Sequence, residues 1–234
     1  MARFFTARPY RASMATLRIR NIDGKVQVGK LICLLGNYSK HVKEMKGTTP
    51  EQIMFFLKPS TSVIHDGGSV ILPKASKEVH HEVELAVVIG KKGKNIPQSR
   101  VDEHILGYCV LLDITARDIQ DKCKKEGRPW AIPKGFDTFA PMSDIAPRDE
   151  VGDTSDLRIT LDLNGVRKQD SSTKFMAHKV DEVVAYCSTI MTLEAGDVIA
   201  TGTPEGVGQL RPGDKVIAEI AKVGRVGVSV IAEE

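Results

Sequence analysis

Short apolar runs follow one another along most of the chain, and they constrain its fold more than any other feature. Most of them are brief, rich in Val and Ile, and bounded by Gly, Pro or Asp, as strands usually are. They read KLICLLG, SVILP, VELAVVIG, YCVLLDI, LRITLDLNG, DVIATG, KVIAEI and GRVGVSVIAE. This pattern predicts a chain built mainly of β-strands.

Helical patterns are fewer and shorter. The segments SKHVKEMK and KVDEVVAYCSTIM have helical spacing of apolar residues. In TARDIQDKCKKEG, we expect Thr115 to cap the N-terminus, with Asp118 three residues later, and Gly127 to end the helix. Many strands with few helices predict a sheet-rich α+β fold rather than a doubly wound one. Neither GxGxxG nor GxxxxGK[ST] is present, so no motif indicates nucleotide binding.

Composition excludes several classes of partner. The net charge of +3, with scattered Lys and Arg, argues against nucleic acid, and no apolar run approaches the roughly 20 residues that cross a bilayer. The four cysteines contain no CxxC pair and predict reduced thiols of an intracellular, cytoplasmic protein. Residues 1–28 begin with an Arg-rich stretch, which we interpret as an arm or short strand. A mitochondrial presequence, and so a matrix location, is the alternative.

The stretch EVHHEVELAVVIG places two carboxylates one residue apart at the start of a strand. Side chains alternate between faces in a strand, so Val83, Leu85 and Val87 share one face while Glu82 and Glu84 share the other. The two carboxylates then lie within roughly 7 Å of each other. Their repulsion must be compensated by water, basic side chains or a cation.

A third carboxylate, Asp113, ends the apolar run YCVLLDI. Three hard oxygen ligands, without a required Cys or His, suit Mg²⁺, Mn²⁺ or Ca²⁺ better than Zn²⁺. The alternative is a solvated acidic face formed by Glu82 and Glu84, with Asp113 as an ordinary turn acid. Residue types alone leave both interpretations open.

Three segments in order, HHEVELAVVIG, LLDITARDIQDKCKKEGRPWAIPKGFD and GDVIATGTPEGVG, resemble the fumarylacetoacetate hydrolase family. Within it, short members of the acylpyruvase and oxaloacetate decarboxylase type are the most similar. The resemblance extends from about Lys30 to about Ile220, so we expect a catalytic domain over 29–234. It implies a mixed β-roll or β-sandwich, a homodimer, and a divalent metal, usually Mg²⁺, held by Glu82, Glu84 and Asp113.

The resemblance also implies a reaction. Family members cleave C–C bonds of small 2-oxo and 1,3-dicarbonyl acids, and the metal stabilises the enolate that bond cleavage leaves. We therefore expect acylpyruvate hydrolysis or oxaloacetate decarboxylation, with a small 2-oxo acid as substrate. One alternative is an isomerase of the 2-hydroxyhepta-2,4-diene-1,7-dioate type from aromatic catabolism. Another is a non-catalytic protein that uses the metal to bind an oxo acid.

Further residues match functional positions of the family. Lys134, in IPKGFD, matches the lysine near the metal, whose charge can stabilise an enolate or alkoxide. Arg117 and Gln120, three apart and so on one helix face, match residues that orient substrate and water. For Arg117, an ion pair with Asp121 is an alternative. Thr203, in TGTPEGVG, matches the threonine that holds the substrate carboxylate.

The segment LLGNYSKHVKEM resembles the family's lid over the site. His41 and Glu44 lie three apart on one face of a short helix. In acylpyruvase-like members this pair activates water, with the imidazole taking the proton. Those members read Gly-Arg-Asn-Tyr, whereas this chain reads Gly36-Asn37-Tyr38. The missing arginine leaves substrate specificity open.

Overall fold

The computed structural model describes residues 15–45 and 52–234. Strands dominate, as the apolar runs predict. In chain order they are β1 (Thr16–Ile19), β2 (Ile22–Gln27), β3 (Leu31–Leu34), β4 (Phe55–Lys58), β5 (Val63–His65), β6 (Ser69–Leu72), β7 (Val79–His81), β8 (Val83–Ile89), β9 (Ile105–Leu112), β10 (Thr115–Ala116), β11 (Ala140–Met142), β12 (Ala146–Pro147), β13 (Arg158–Leu163), β14 (Val166–Ser172), β15 (Val198–Ala200), β16 (Gly208–Gln209), β17 (Lys215–Ile220) and β18 (Gly224–Ala232).

The helices are short, and the three that we expected are present. In chain order they are α1 (Ser39–Glu44), α2 (Arg117–Glu126), α3 (Ala131–Lys134), α4 (Arg148–Val151) and α5 (Val180–Ile190), with 3-10 helices at Ser60–Ser62, Gln98–His104 and Thr173–Phe175. The expected end of α2 is confirmed, since Gly127 follows it with φ 63°. Only glycine enters this left-handed region at little cost.

The expected start of α2 is wrong. The helix begins at Arg117, and Ala116 rather than Thr115 precedes it. Thr115 belongs to β10 and pairs with His80 of β7, so its backbone is extended. Its hydroxyl donates to the carbonyl of Asp113 at 3.0 Å. Pairing with a distant strand therefore displaces the N-cap by one residue, from Thr115 to Ala116.

The strands form a mixed β-roll. The larger sheet has the order β4-β3-β15-β8-β9-β11-β5, with β12 added beside β9, and the smaller one has the order β14-β13-β17-β18-β6. Most neighbouring strands are antiparallel, but β3/β15, β5/β11 and β6/β18 are parallel. The short strands β10, β7 and β16 form a third sheet, and β1 and β2 form a hairpin. This agrees with the predicted sheet-rich α+β class.

Strand β8 lies in the middle of the larger sheet and is buried over its whole length. Val83, Leu85 and Val87 pack into the main core together with residues of the smaller sheet and of α5. Ala86 and Val88 point the other way, into a second apolar cluster with Leu17 of β1. The predicted alternation is therefore confirmed, and apolar layers cover both faces of the strand.

The N-terminal part of the chain is described from residue 15 onward. Leu17 of the β1–β2 hairpin is buried, and the Arg20 amide donates to the carbonyl of Ile145 at 2.8 Å. The Arg-rich residues 1–14 lie outside the described residues. The boundary that we placed after residue 28 stays a prediction. Among the described helices, none has the length and apolar character needed to cross a bilayer.

Candidate active site

Three carboxylates meet where β8 begins and β9 ends. Glu82 immediately precedes β8, Glu84 is its second residue, and Asp113 follows the last residue of β9. Because the strands are antiparallel and Glu84 pairs with Leu111, these strand ends are neighbours. The Asp113 amide donates to the carbonyl of Glu82 at 2.8 Å. One oxygen from each carboxylate lies within 4.8 Å of the other two.

The three carboxylates are buried, with relative exposures of 4% for Glu82, 1% for Glu84 and 1% for Asp113. The alternative of a solvated acidic face with a turn acid is therefore wrong. Acids this close together and shielded from water need opposite charges to remain ionised.

Three cationic side chains supply part of that compensation. Lys134, at the end of α3, donates from Nζ to Glu82 Oε2 at 3.0 Å and to Asp113 Oδ2 at 2.6 Å. Arg117, at the start of α2, donates to Glu82 Oε1. Lys58, at the end of β4, has its Nζ 2.8 Å from Asp113 Oδ1. Local sequence contains no sign that Lys58 belongs to the site.

Lys58 is held beside Asp113 by backbone carbonyls. Its ammonium donates to the carbonyls of Ile114 at 3.0 Å, Lys134 at 2.6 Å and Phe139 at 2.8 Å, so these acceptors and Asp113 Oδ1 share its three protons. Asp113 Oδ1 is buried and receives no well-aligned hydrogen bond from the described residues, so the ammonium of Lys58 at 2.8 Å is its charged partner.

The site residues fit a divalent cation. Asp113 Oδ1 is shared with an ammonium whose protons also go to three carbonyls, and it belongs to a set of three buried carboxylates whose oxygens converge. Carboxylate oxygens are the donors that Mg²⁺ and Mn²⁺ favour. Glu82, Glu84 and Asp113 would hold such an ion.

The two glutamates differ in the direction of their pKa shifts. Burial opposes ionisation of Glu82, but the charges of Lys134 and Arg117 outweigh it and lower its pKa well below the usual range. For Glu84, burial and the neighbouring charges of Asp113 and Glu82 raise the pKa well above the usual range. Its Oε2 accepts a hydrogen bond from the Gly202 amide at 2.8 Å. A cation beside Glu84 would favour its ionised form.

Arg117 and Gln120 lie together on α2, facing the carboxylates. The guanidinium of Arg117 donates to both Glu82 and the side-chain oxygen of Gln120. The considered ion pair between Arg117 and Asp121 is not formed, because Asp121 points to Lys124, at 3.6 Å. The first turn of α2 therefore presents a guanidinium and an amide beside the acidic cluster.

Thr203 lies in the loop after β15, one residue beyond the Gly202 amide that contacts Glu84. Its hydroxyl accepts a hydrogen bond at 2.9 Å from the side-chain amide of Gln169, a fully buried residue of β14. The Gln169 oxygen accepts from the backbone of Val83 at 3.1 Å. Gln169 therefore ties Thr203 to the start of β8. Because the partners of Gln169 are distant in sequence, no local pattern predicts that it belongs to the site.

His41 and Glu44 form the expected contact on α1, with Nδ1 and Oε2 3.2 Å apart. Glu44 also accepts from the Gly206 amide, at 3.0 Å to Oε1. Gly206 has φ +94°, and a Cβ there would lie 2.1 Å from the Lys168 carbonyl, so this amide position requires glycine. If Nδ1 donates to Glu44, His41 Nε2 is the nitrogen that can accept a proton.

Asn37, next to the position where acylpyruvase-like members have an arginine, does not take over a role in binding an anion, because its side chain is bonded to the backbone. Asn37 donates from its amide to the carbonyls of Thr201 at 2.9 Å and His178 at 3.0 Å. Its Oδ1 accepts from the His178 amide at 2.8 Å. The side chain thus fastens the start of the α1 segment to the loop after β15.

A cleft of about 300 Å³ connects most of these groups. Seven of the nine predicted site residues line it: His41, Glu82, Glu84, Arg117, Gln120, Lys134 and Thr203. The other two contact residues that line it: Glu44 contacts His41, and Asp113 contacts Lys134. The cleft also contains groups that we did not predict, among them Phe56, Lys124 and Trp130. A larger cavity, of about 510 Å³, lies near the β1–β2 hairpin and contains none of the nine.

The chain is an α+β protein with a candidate divalent-metal active site. Its mixed β-roll brings three buried carboxylates to one cleft, beside a buried lysine and a His–Glu pair. Comparison with known families specifies this further. Residues 30–231 match the model of the fumarylacetoacetate (FAA) hydrolase C-terminal domain. The chain belongs to this family, as the sequence resemblance predicted.

Named relatives have several activities. The chain is 43% identical to the mitochondrial oxaloacetate tautomerase FAHD1 of Arabidopsis thaliana, over 84% of this chain and 88% of the relative. A fumarylpyruvate hydrolase from Pseudomonas aeruginosa, solved with Mn²⁺ and pyruvate, has a TM-score of 0.90 at 34% identity and covers 94% of this chain and 96% of its own. A 2-hydroxyhepta-2,4-diene-1,7-dioate isomerase from Mycobacterium marinum has a TM-score of 0.79 at 35% identity, covering 89% and 76%.

Proposed function

We propose that this chain hydrolyses acylpyruvates at a C–C bond with the help of a divalent metal. The observation that carries the proposal is the shared cleft: the His41–Glu44 pair and the acidic cluster with Lys134 are brought together by elements far apart in sequence. A water-activating base and an anion-stabilising centre are the two components that such a hydrolysis requires.

The metal would be held by Glu82, Glu84 and Asp113, with Mg²⁺ preferred and Mn²⁺ the next choice. When bound, it would polarise the 2-oxo group of the substrate as a Lewis acid. The Lys134 ammonium, already beside Glu82 and Asp113, stabilises negative charge that develops on the substrate oxygen. Arg117 and Gln120 orient substrate and water, and Thr203 holds the substrate carboxylate.

His41 supplies the base for the water. Its Nε2 accepts a proton from water while Glu44, fixed by the Gly206 amide, holds the ring at Nδ1. The water oxygen bonds to the carbonyl carbon of the acyl group. The bond between that carbon and the pyruvate methylene then breaks, and its electron pair remains on the pyruvate fragment as an enolate. The former methylene carbon of the enolate then receives the proton that His41 took from water, which yields pyruvate and the free acid.

A second candidate is tautomerisation or decarboxylation of oxaloacetate. The observation that favours it is the identity, 38–43%, to relatives named oxaloacetate tautomerase. Both reactions pass through an enolate, so they need the acidic cluster and Lys134 but no attacking water. The His41–Glu44 pair therefore separates hydrolysis from decarboxylation, whereas tautomerisation, which moves a proton between carbon and oxygen, still requires a base. A homodimer and a cytoplasmic or mitochondrial location remain predictions.

The test is a substrate panel followed by ultraviolet absorbance, with chelated protein and with Mg²⁺ or Mn²⁺ added. The panel contains acetylpyruvate, fumarylpyruvate, oxaloacetate and a hydroxymuconate. We expect metal-dependent loss of the acylpyruvate absorbance and formation of pyruvate. Turnover of oxaloacetate alone would favour the second candidate, and isomerisation of the hydroxymuconate alone would favour the isomerase alternative. Binding of all four without turnover would indicate a non-catalytic oxo-acid binder.

A further inference from the structure

The cleft contains a cationic residue that the proposed reaction does not use. Arg117, Lys124 and Lys134 are the Lys and Arg residues of the described chain that line it. Arg117 is bonded to Glu82, and Lys134 to Glu82 and Asp113. Lys124 forms no close ion pair among the described residues: its nearest carboxylate is that of Asp121, at 3.6 Å, and the two side chains are 36% and 51% exposed. Such surface pairs contribute little, so Lys124 can bind an added anion.

Lys124 lies in the same cleft as the acidic cluster, but farther along α2. Arg117, Gln120 and Lys124 occupy positions i, i+3 and i+7 of α2, which is one face of a helix, and all three line the cleft. At 1.5 Å per residue, Lys124 is about 10 Å beyond Arg117 along the helix axis. The same helix face therefore presents a guanidinium beside the metal ligands and an ammonium farther along.

An aromatic wall lies between the two ammonium groups. The Lys134 Nζ is 4.9 Å from the centroid of the Phe56 ring, and the Lys124 Nζ is 5.5 Å from that of Trp130. The two rings are 5.8 Å apart. Both rings line the cleft. A ligand that spans the cleft meets charge at each end and apolar ring faces between them.

We infer that Lys124 binds a second carboxylate at the far end of the substrate and so makes the enzyme selective for dicarboxylic acylpyruvates. The inference rests on the proposed function and specifies its substrate class. The 2-oxo acid end lies at the acidic cluster, a flat carbon chain lies along Phe56 and Trp130, and the distal carboxylate meets Lys124. Lys124 is a specificity residue and takes no part in bond cleavage.

Fumarylpyruvate and acetylpyruvate share the 2,4-dioxo acid head, and fumarylpyruvate has an unsaturated tail ending in a carboxylate where acetylpyruvate has a methyl group. In Lys124→Gln we expect KM for fumarylpyruvate to rise about tenfold, a loss between that of an exposed pair and that of a buried charged hydrogen bond. Values of kcat, and both constants for acetylpyruvate, should stay within about twofold. Lys124→Arg should restore KM. The matched control is Lys125→Gln, an exposed neighbour on the same helix that does not line the cleft.

Binding can be measured without turnover, because Trp130 is the only tryptophan of the chain. Titration with 2-oxoadipate, which carries a distal carboxylate, and with pyruvate, which does not, is followed by Trp130 fluorescence in Mg²⁺. We expect Lys124→Gln to weaken 2-oxoadipate binding about tenfold and to leave pyruvate binding unchanged. If the tail carboxylate remained in water instead, Lys124→Gln would bind 2-oxoadipate as tightly as the wild type does.

The outcomes separate this inference from the proposed function. If no acylpyruvate is cleaved but 2-oxoadipate binding depends on Lys124, the hydrolase proposal fails and the role of Lys124 stands. If acylpyruvates are cleaved and Lys124→Gln changes both substrates by the same factor, the hydrolase proposal stands and the role of Lys124 is overturned. Equal 2-oxoadipate affinity in the variant and the wild type overturns it as well.

Discussion

Replacement of Lys134 by methionine tests whether its ammonium neutralises the acidic cluster. Methionine has a similar length but removes the charge. Lys134 is 2% exposed and donates to Glu82 and Asp113 at 3.0 and 2.6 Å. Burial disfavours its charged form, but Asp113 and Glu82 outweigh burial and raise its pKa above the usual value. The variant therefore leaves two buried carboxylates with less positive charge nearby.

The expected cost follows from that burial. Removal of one partner from a buried ion pair costs about 3–5 kcal/mol, because the remaining charge stays out of water. The variant should still fold, since domains have about 5–15 kcal/mol of stability. In urea, the midpoint of unfolding of chelated protein should fall by about 1–2.5 M for an m-value of about 2–3 kcal/mol per M. Turnover with metal should fall about 100-fold, as for a lost oxyanion donor.

Metal provides a second measurement on the same variant. A ligand at 100 times its Kd stabilises the folded state by about 2.7 kcal/mol. Adding Mn²⁺ should increase the free energy of unfolding of Lys134→Met more than that of the wild type, because it restores positive charge beside Glu82 and Asp113. The control is Lys125→Met, an exposed lysine on α2, which should change stability by at most about 0.5 kcal/mol. Chelated Lys134→Met within about 1 kcal/mol of the wild type would refute the assigned electrostatics.

Three further predictions concern separate parts of the site. Asp113→Asn should abolish metal-dependent turnover and weaken Mn²⁺ binding, measured by calorimetry, because it removes a charged ligand. His41→Ala should reduce acylpyruvate hydrolysis by about 100-fold or more, within the usual contribution of a general base, and should affect oxaloacetate decarboxylation much less; both rates are followed by absorbance. Gln169→Leu should raise KM, because the Thr203 hydroxyl loses its 2.9 Å donor, and should lower the urea midpoint, because the Val83 amide loses its acceptor.

Each of these predictions has a result that contradicts it. Full activity of Asp113→Asn after exhaustive chelation would remove the metal from the mechanism. Equal losses of both reactions in His41→Ala would mean that the base does not act on water. An unchanged KM in Gln169→Leu, with reduced stability, would show that Gln169 supports the fold without orienting Thr203.

Local sequence predicted those parts of the protein that depend on neighbouring residues. Runs rich in Val and Ile predicted the strands because branched side chains pack well on a pleated sheet. Helical spacing predicted α1, α2 and α5, and it also predicted that His41 meets Glu44. Residue types alone did not predict the metal ligands, because a solvated acidic face remained an alternative interpretation. The family resemblance favoured a metal site. Burial then contradicted the solvated face.

The tertiary structure alone decided which distant groups meet. Strand order brings Lys58, Asp113 and Lys134 together, and it places Gln169 behind Thr203. The pairing of β10 with β7 moved the N-cap of α2 from the expected Thr115 to Ala116. Local patterns encode alternation along one strand or one helix. Contacts across 20 or more residues depend on how the sheets close, because each backbone ladder and each buried charge needs a partner supplied by another part of the chain.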